Sequence, residues 1–192
     1  KKGTLLWVLD KTSTSMGGRH LRRWINDPLI EVNEINKRLS AVKELKDNVI
    51  LKGDIIENLK KVYDIERLAG KISYGNANGR DMISLKNSLS KLPEVKEVLK
   101  NTNSNMLQEL YNNLDELKDI YELIENSIVE DPPMSVKEGG LIKIGYDEEI
   151  DKLKKATTEG KNWLIQLEAT EKEKTGIKNL KVGFNKVFGY YI

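Results

Sequence analysis

Apolar residues that recur three and four positions apart are the feature that most restricts the possible folds of this chain. This spacing places one side chain per helical turn on a common face, so each run predicts an amphipathic helix. The runs consist of Val32, Ile35, Leu39, Val42 and Leu45, and of Leu107, Leu110, Leu114, Leu117, Tyr121, Ile124 and Ile128. The sequence therefore predicts a mostly α fold, in which the second run forms one long helix with a continuous seam.

Proline, glycine and capping residues divide the chain into further predicted elements. Residues 3–12 are predicted to be extended. A helix is predicted from the hydroxyl residues at 13–15 to Asn26, because the residue before Pro28 avoids the helical conformation. Other helices are predicted over residues 49–62, 64–72 and 82–92, and a short one is predicted to begin at Pro93. The segment 131–140 contains two prolines and two glycines, which mark a boundary.

After residue 145 the sequence predicts a long helix followed by a small sheet. The helix covers residues 147–174, which corresponds to roughly 42 Å. Four acids at its start face the positive end of the helix dipole, and they are Asp147, Glu148, Glu149 and Asp151. Its apolar seam is narrow, as is typical of packing against a single partner helix, and consists of Ile150, Leu153, Thr157, Gly160, Leu164 and Leu167. Residues 177–192 alternate loosely around a turn at 185–186, which predicts a terminal β-hairpin.

Composition and missing motifs exclude several classes of function. The chain has 192 residues and no cysteine, which excludes disulfides, thiolate metal sites and cysteine nucleophiles. It lacks the pattern of a phosphate-binding loop, and no apolar run approaches the length of a membrane span. These features predict a soluble, intracellular chain without nucleotide chemistry of its own.

Three other features have simple structural explanations. No apolar strand precedes the glycine pair 17–18, so the pair predicts close packing and not a dinucleotide loop. His20 lies among Arg19, Arg22 and Arg23 without an orienting carboxylate or a nucleophile nearby, so a surface or interface position is expected. The arginines are expected to be solvated or paired with acids, while Leu21, Trp24 and Ile25 face a core. The acids at 147–151 lack the spacing of a calcium loop.

The basic charge is concentrated near the C-terminal end. The net charge of the whole chain is +2, whereas residues 172–192 contain five lysines and a single acid, Glu173. Lysines among glycines and small polar residues suit contacts with phosphates. Lysines also protect an exposed strand edge from aggregation. Composition alone does not decide between these two interpretations.

Several motifs, in one order and register, resemble a known family. They include Leu6-Trp-Val-Leu-Asp-Lys-Thr-Ser-Thr-Ser-Met-Gly-Gly-Arg19, Glu138-Gly-Gly-Leu-Ile-Lys-Ile-Gly145 and Leu180-Lys-Val-Gly-Phe-Asn-Lys-Val-Phe-Gly-Tyr-Tyr-Ile192, together with segments 64–68 and 75–81. They resemble the core, lever and clamp regions of the MutS family of bacterial DNA mismatch-recognition proteins. Because the aromatic run reaches residue 192, we expect the chain to be part of a longer one.

The resemblance implies two regions with different roles. Residues 1–146 would form the first part of an α-helical core and lever domain, and residues 147–192 the N-terminal part of a clamp. In this family two clamps cross over duplex DNA and touch its backbone without reading sequence, and levers connect this grip to a distant ATPase. The residues that match the basic tip of the clamp are Lys172, Lys174, Thr175, Lys178, Lys181, Asn185 and Lys186.

The resemblance also implies what this chain lacks. The mismatch-probing phenylalanine and glutamate would lie upstream and the ATPase downstream, so the chain is expected not to be an enzyme. No catalytic residue, cofactor or metal is expected in it, whereas the longer parent is expected to use ATP and Mg²⁺. The partners implied for the parent are mismatched double-stranded DNA, a second copy in a homodimer and the repair protein MutL. The expected location is the bacterial cytoplasm at the nucleoid, without a membrane.

A second hypothesis assigns the chain a purely structural role. Its seams would then serve helix partners and its lysines only solubility, as in the related branch that acts outside mismatch repair.

Overall fold

Helices make up most of the chain, as the apolar periodicity predicts. The computed structural model describes residues 2–187 and 189–191, and it divides the chain into two units, Lys1–Lys143 and Ile144–Ile192. The helices of the first unit are α1 (Leu5–Leu9), α2 (Ser15–Asn26), α3 (Val32–Asp47), α4 (Val49–Leu59), α5 (Ile65–Ser73), α6 (Gly79–Leu89), α7 (Leu92–Leu99), α8 (Asn105–Asn113) and α9 (Lys118–Ser127). The second unit contains α10 (Glu148–Thr175) and the strands β1 (Gly183–Asn185) and β2 (Gly189–Tyr191). The predicted mostly α fold with a long helix and a terminal hairpin is confirmed, and no described helix is long and apolar enough to cross a bilayer.

The first of two corrections concerns residues 3–12, which are not extended throughout. Residues Leu5–Leu9 form helix α1, and the side chain of Thr4 caps it by accepting a hydrogen bond from the backbone N–H of Trp7 at 3.3 Å. A run of five apolar residues has no periodicity that separates helix from strand. The N-cap threonine therefore decides the conformation here.

The second correction concerns the apolar run from Leu107 to Ile128, which does not form one helix. Helix α8 ends at Asn113, and Leu117 adopts a left-handed conformation with φ of 50° before α9 begins. The carboxylate of Asp115 accepts the backbone N–H of Leu117 at 2.9 Å, a local turn that competes with the helix. The apolar residues keep their spacing of three and four positions across this break, although α8 and α9 pack into separate apolar clusters.

Two apolar clusters stabilise the first unit. One is formed by α3, α7 and α8 and contains Ala41, Val95, Leu99 and Leu107. The other is formed by α5, α6 and α9 and contains Leu68, Leu85, Leu89 and Ile124. The apolar seam thus divides, because Leu107 belongs to the first cluster and Ile124 to the second.

A carboxylate from α3 caps the start of α8. Glu44 accepts the backbone N–H groups of Asn103 and Ser104, each at 2.7 Å. Burial raises the pKa of Glu44, but these donors lower it more, and the net pKa is below the usual glutamate value. The negative charge also faces the positive end of the α8 dipole. The side chain of the N-cap residue Ser104 forms no capping hydrogen bond, so Glu44 caps α8 in its place.

An arginine ties α2 to the start of α5. The guanidinium of Arg19 donates to both carboxylate oxygens of Asp64, at 2.7 and 2.8 Å, and to Glu66 at 2.6 Å. The hydroxyl of Ser15 donates to Asp64 at 2.7 Å, and Asp64 also caps α5. The Arg19 hydrogen bond is the main reason why the pKa of Asp64 lies well below its usual range. Since no residue of α2 is fully buried, this network is a major part of its attachment.

Replacing Asp64 with asparagine is expected to lower the free energy of unfolding by about 1 kcal/mol at neutral pH. Asparagine is an equally good N-cap, so the change mainly removes the charge. The pKa of Asp64 is lowered on folding, so its contribution is present above about pH 4 and is lost as the pH falls through the folded-state value. Urea unfolding from pH 7 to pH 2 should show a weaker loss of stability with acid in Asp64→Asn than in the unmodified chain.

The exposed residue Asp54 supplies the matched control for this measurement. Asp54→Asn makes the same chemical change in α4, where the described chain places no basic group within 4.0 Å of the carboxylate. It should leave both the stability and its acid dependence unchanged. Equal pH profiles for the two variants would contradict the role given to Asp64.

The segment after α9 folds back onto the start of α6. An isolated antiparallel bridge pairs Ile128 with Ile142. A Cβ atom on Gly79 would lie 2.4 Å from a methyl carbon of Leu141 and 2.6 Å from the ring of Pro132. The segment predicted as a boundary therefore bends, with a 3-10 turn at Val136–Glu138, and returns to pack against α6.

Candidate nucleic-acid interface

The residues predicted to contact DNA all lie in the second unit, at the end of α10 and along the approach to the hairpin. Lys172, Lys174 and Thr175 belong to the last turn of α10. Gly176 ends the helix in a left-handed conformation with φ of 70°, and its N–H donates to the carbonyl of Lys172 at 3.0 Å. This helix end is typical of glycine, which adopts positive φ at little cost. The remaining predicted residues are Lys178, Lys181, Asn185 and Lys186.

The two lysines on the helix are paired with acids of the same helix. The Nζ atom of Lys172 lies 2.6 Å from Glu168 Oε1, and that of Lys174 lies 3.1 Å from Glu171 Oε1. Side chains three and four positions apart are neighbours on a helix surface. Glu168 and Glu171 precede residue 172, so they are not counted in the net charge of residues 172–192. That net charge is therefore larger than the positive charge that these lysines make available to a ligand.

The other three lysines provide the available positive charge. Lys178, Lys181 and Lys186 are exposed, and no carboxylate oxygen of the described residues lies within 4.0 Å of their Nζ atoms. Phosphate contacts need cations that are not already neutralised. These three residues are therefore the stronger candidates within the predicted set.

Thr175 and Asn185 shape the backbone around these lysines. The hydroxyl of Thr175 donates to the carbonyl of Glu171 at 2.6 Å. The side-chain oxygen of Asn185 accepts the N–H of Val187 at 2.8 Å, which starts the hairpin turn one residue later than the predicted 185–186. The side-chain oxygens of Thr175 and Asn185 are thus both hydrogen-bonded to the backbone of the chain.

Glu168 is a structural residue of the site that the sequence analysis does not identify. Its Oε2 atom accepts the backbone N–H of Val182 at 3.1 Å, while Oε1 accepts from Lys172. The Lys172 hydrogen bond, followed by that from Val182, lowers the pKa of Glu168. The spacing of Glu168 and Lys172 is visible in the sequence, but the contact with Val182 depends on the fold. Glu168 fastens the segment before the hairpin to α10.

The hairpin is short and presents aromatic rings. Strands β1 and β2 pair antiparallel, with Gly183 opposite Tyr191 and Phe184 opposite Tyr190. The rings of Phe184 and Tyr190 lie 5.0 Å apart and are tilted. A Cβ atom on Gly183 would lie 2.6 Å from the ring of Tyr191, so a larger residue here would displace that exposed ring. The predicted strand residues Phe188 and Ile192 lie outside the described residues.

An apolar groove of about 600 Å³ lies between α10 and the hairpin. Its lining includes Thr157, Gly160, Trp163, Leu164, Leu167, Val182, Tyr190 and Tyr191. Four of these belong to the predicted narrow seam, and no described residue of α10 is fully buried. The seam is therefore accessible along the groove.

The glycine pair and His20 have the structural roles that the sequence analysis favours, whereas Leu21, Trp24 and Ile25 do not face either apolar cluster. A Cβ atom on Gly17 would lie 3.1 Å from Thr14 Oγ1, and one on Gly18 would lie 3.3 Å from Thr12 Oγ1. His20 is exposed and lies against Trp24, with the ring centres 5.1 Å apart. Trp24 and its apolar neighbours on α2 are only half-buried. Within residues 2–187 and 189–191, no cluster of three acidic or histidine side chains could hold a metal ion.

The arrangement suits electrostatic contact with a polyanion. Each lysine is a flexible point charge that can neutralise one phosphate.

Comparisons with known proteins agree with the motifs. A sequence model of MutS domain III matches residues 1–181. The chain is 54% identical to the DNA mismatch repair protein MutS of Alkaliphilus oremlandii, 56% to that of Brevibacillus brevis and 57% to that of Clostridium beijerinckii, each over 192 residues. These matches cover 22%, 22% and 21% of the three relatives. The chain therefore spans about a fifth of the length of these curated relatives.

Proposed function

Because this chain belongs to the MutS family and corresponds to its domain III, we propose that it is part of a longer DNA mismatch repair protein and contacts the duplex backbone through its second unit. The observation that supports this proposal is that three exposed lysines follow the 28-residue helix α10 in the sequence and form no ion pair within 4.0 Å with a described carboxylate. We call Lys178, Lys181 and Lys186 the tip lysines. They have the charge and the exposure that phosphate contacts need.

The contact is independent of DNA sequence. Arginine bound to guanine is the commonest bidentate contact with a base edge, and lysine, asparagine and glutamine form the others. The last arginine of the chain is Arg80, so the second unit contains none. Lysines act on phosphates as point charges and position a protein without sequence information.

The first unit acts as the lever in this proposal. Its helices would transmit the state of the DNA contact to the ATPase of the longer protein, which would use ATP and Mg²⁺. The longer protein would act as a homodimer on mismatched DNA in the bacterial cytoplasm and work with MutL. This chain would contribute no catalytic residue to these steps.

The proposal predicts weak, salt-dependent binding of any duplex. A 20-base-pair matched duplex and the same duplex with one mismatch should bind this chain equally, as measured by fluorescence anisotropy between 20 and 200 mM KCl. Neutralising about three phosphates gives a slope of roughly −2.7 for log K against log salt. No binding at 20 mM KCl, or a preference for the mismatched duplex by this chain alone, would contradict it.

The accessible groove favours a second candidate, a purely structural scaffold. A helix without a fully buried residue beside an apolar groove of about 600 Å³ is suited to a partner helix. In that case the tip lysines would serve solubility only. The anisotropy measurement separates the two, because a scaffold would show no salt-dependent affinity for the duplex.

A further inference from the structure

Lys86 is a buried charged side chain of α6, the helix that contributes Leu85 and Leu89 to the second apolar cluster of the first unit. Its side chain is only 7% exposed. Burying an ammonium group is unfavourable unless it is paired and hydrogen-bonded. The surroundings of Lys86 must therefore supply negative charge wherever the side chain stays buried.

Two carboxylates from different segments supply that charge. The Nζ atom of Lys86 lies 2.8 Å from Glu125 Oε2 on α9 and 2.6 Å from Glu130 Oε2 beyond the end of α9. Burial lowers the pKa of Lys86, but the two hydrogen bonds raise it more, so the ammonium form is retained. Lys143 approaches the same group from the other side, with its Nζ atom 3.6 Å from Glu125 Oε1, and donates to the backbone carbonyl of Glu125.

These charges surround a short backbone pairing. We call residues 127–130 and 141–143 the exit pair, because Lys143 is the last residue of the first unit. The N–H of Val129 donates to the carbonyl of Leu141 at 3.0 Å, and the N–H of Lys143 donates to the carbonyl of Ser127 at 2.8 Å. Two such hydrogen bonds are marginal without other support. Glu130 and Lys143, at the ends of the two paired segments, both belong to the charge group around Lys86 and Glu125.

We propose that Lys86 is a positioning residue that locks the exit pair onto α6 and so fixes where the chain leaves the first unit. If the exit pair opens, Glu130 moves away and the buried ammonium of Lys86 loses one of its two carboxylates. Opening the exit pair therefore costs more free energy than the loss of its two backbone hydrogen bonds alone. The importance of the lock for a lever rests on the proposed function, but the lock itself does not.

Amide hydrogen exchange measured by NMR on the DNA-free chain tests this inference. Lys86→Met keeps the length of the side chain and removes the charge. We expect the amides of Val129 and Lys143 to exchange about 10- to 100-fold faster in this variant. The amides of α3 and α8, which form the other apolar cluster, should change much less.

Three further variants separate a specific lock from general loss of stability. Glu130 is 72% exposed, so Glu130→Gln disturbs no packing and should still accelerate both exit-pair amides, by roughly threefold to tenfold. Lys86→Arg retains the charge and should keep most of the protection. Lys91→Met removes a lysine that pairs with Glu94 at 2.7 Å and should leave the exit pair unchanged.

Unchanged protection of Val129 and Lys143 in both Lys86→Met and Glu130→Gln would overturn the inference. Equal acceleration of all core amides in both variants would also overturn it, since that pattern indicates global unfolding. If this chain does not bind the duplex in the anisotropy measurement, the proposed function is wrong. That result would not affect the hydrogen-exchange test of the lock.

Discussion

Replacing Gly79 with valine is expected to lower the free energy of unfolding of the chain by about 3 kcal/mol. A Cβ atom at this position would lie 2.4 Å from Leu141 Cδ1, 2.6 Å from Pro132 Cβ and 3.0 Å from Pro132 Cγ. The end of the leucine side chain can rotate away, but the proline ring is rigid and its backbone must shift. Valine adds two methyl groups to the same clash, so the turn of residues 131–141 cannot stay packed against α6.

Urea unfolding followed by circular dichroism measures this loss, and Gly53 provides the control. Gly53 lies within α4, and a Cβ atom there would meet nothing within 4 Å. Gly53→Ala should therefore stabilise the chain by up to about 1 kcal/mol through helix propensity alone. Gly79 is the first residue of α6, where the gain in helix propensity is smaller, and Gly79→Ala should destabilise the chain. A stabilised Gly79→Ala variant would show that the close approach to Pro132 is unimportant.

The sequence predicts elements well where local signals agree. The helix that begins at Ser15 has an N-cap hydroxyl at Thr14 and a proline after Asp27, and both of its ends lie where these signals place them. The acids at the start of α10 and the glycine at its end likewise set its bounds. Each signal acts within one helical turn, so it can be recognised without knowledge of the fold.

The predictions failed where local chemistry opposes the periodicity. The apolar run through Leu117 continues with helical spacing, yet the carboxylate of Asp115 forms a turn there. In residues 3–12, the cap at Thr4 outweighs an uninformative apolar run. A single side-chain hydrogen bond decides the backbone conformation in both places, whereas apolar spacing reports only which side chains share a face.

The contacts that join α2 to α5 and the exit pair to α6 are long-range, and no local pattern reveals them. Arg19 meets Asp64 across 45 positions, and Lys86 meets Glu130 across 44. In a chain with 30 acidic and 32 basic residues, composition allows far too many such pairs to choose among. The lysine-rich end was recognisable from the sequence. The acids that pair with Lys172 and Lys174 lie at helical spacing and are also visible there, whereas the contact of Glu168 with Val182 required the fold.

Reversing the charge of all three tip lysines is expected to abolish detectable duplex binding by the chain, a loss of at least about 100-fold at 20 mM KCl. Lys178→Glu, Lys181→Glu and Lys186→Glu together remove the phosphate contacts and add three groups that repel phosphates. Any remaining binding should have a slope of log K against log salt that is less negative by up to about 2.7. By contrast, Lys172→Gln and Lys174→Gln together should have a smaller effect, because both lysines are already paired with acids of α10.

The matched control makes the same change of net charge on the first unit. Lys43, Lys52 and Lys60 are exposed, and no described carboxylate oxygen lies within 4.0 Å of them. Compared at 100 mM KCl, their triple replacement with glutamate should reduce affinity only through the long-range field, which is screened beyond about 10 Å at 0.1 M salt. The two triple variants should therefore differ greatly in binding. Equal losses of affinity would mean that the duplex responds to net charge alone and that the tip lysines form no distinct contact surface.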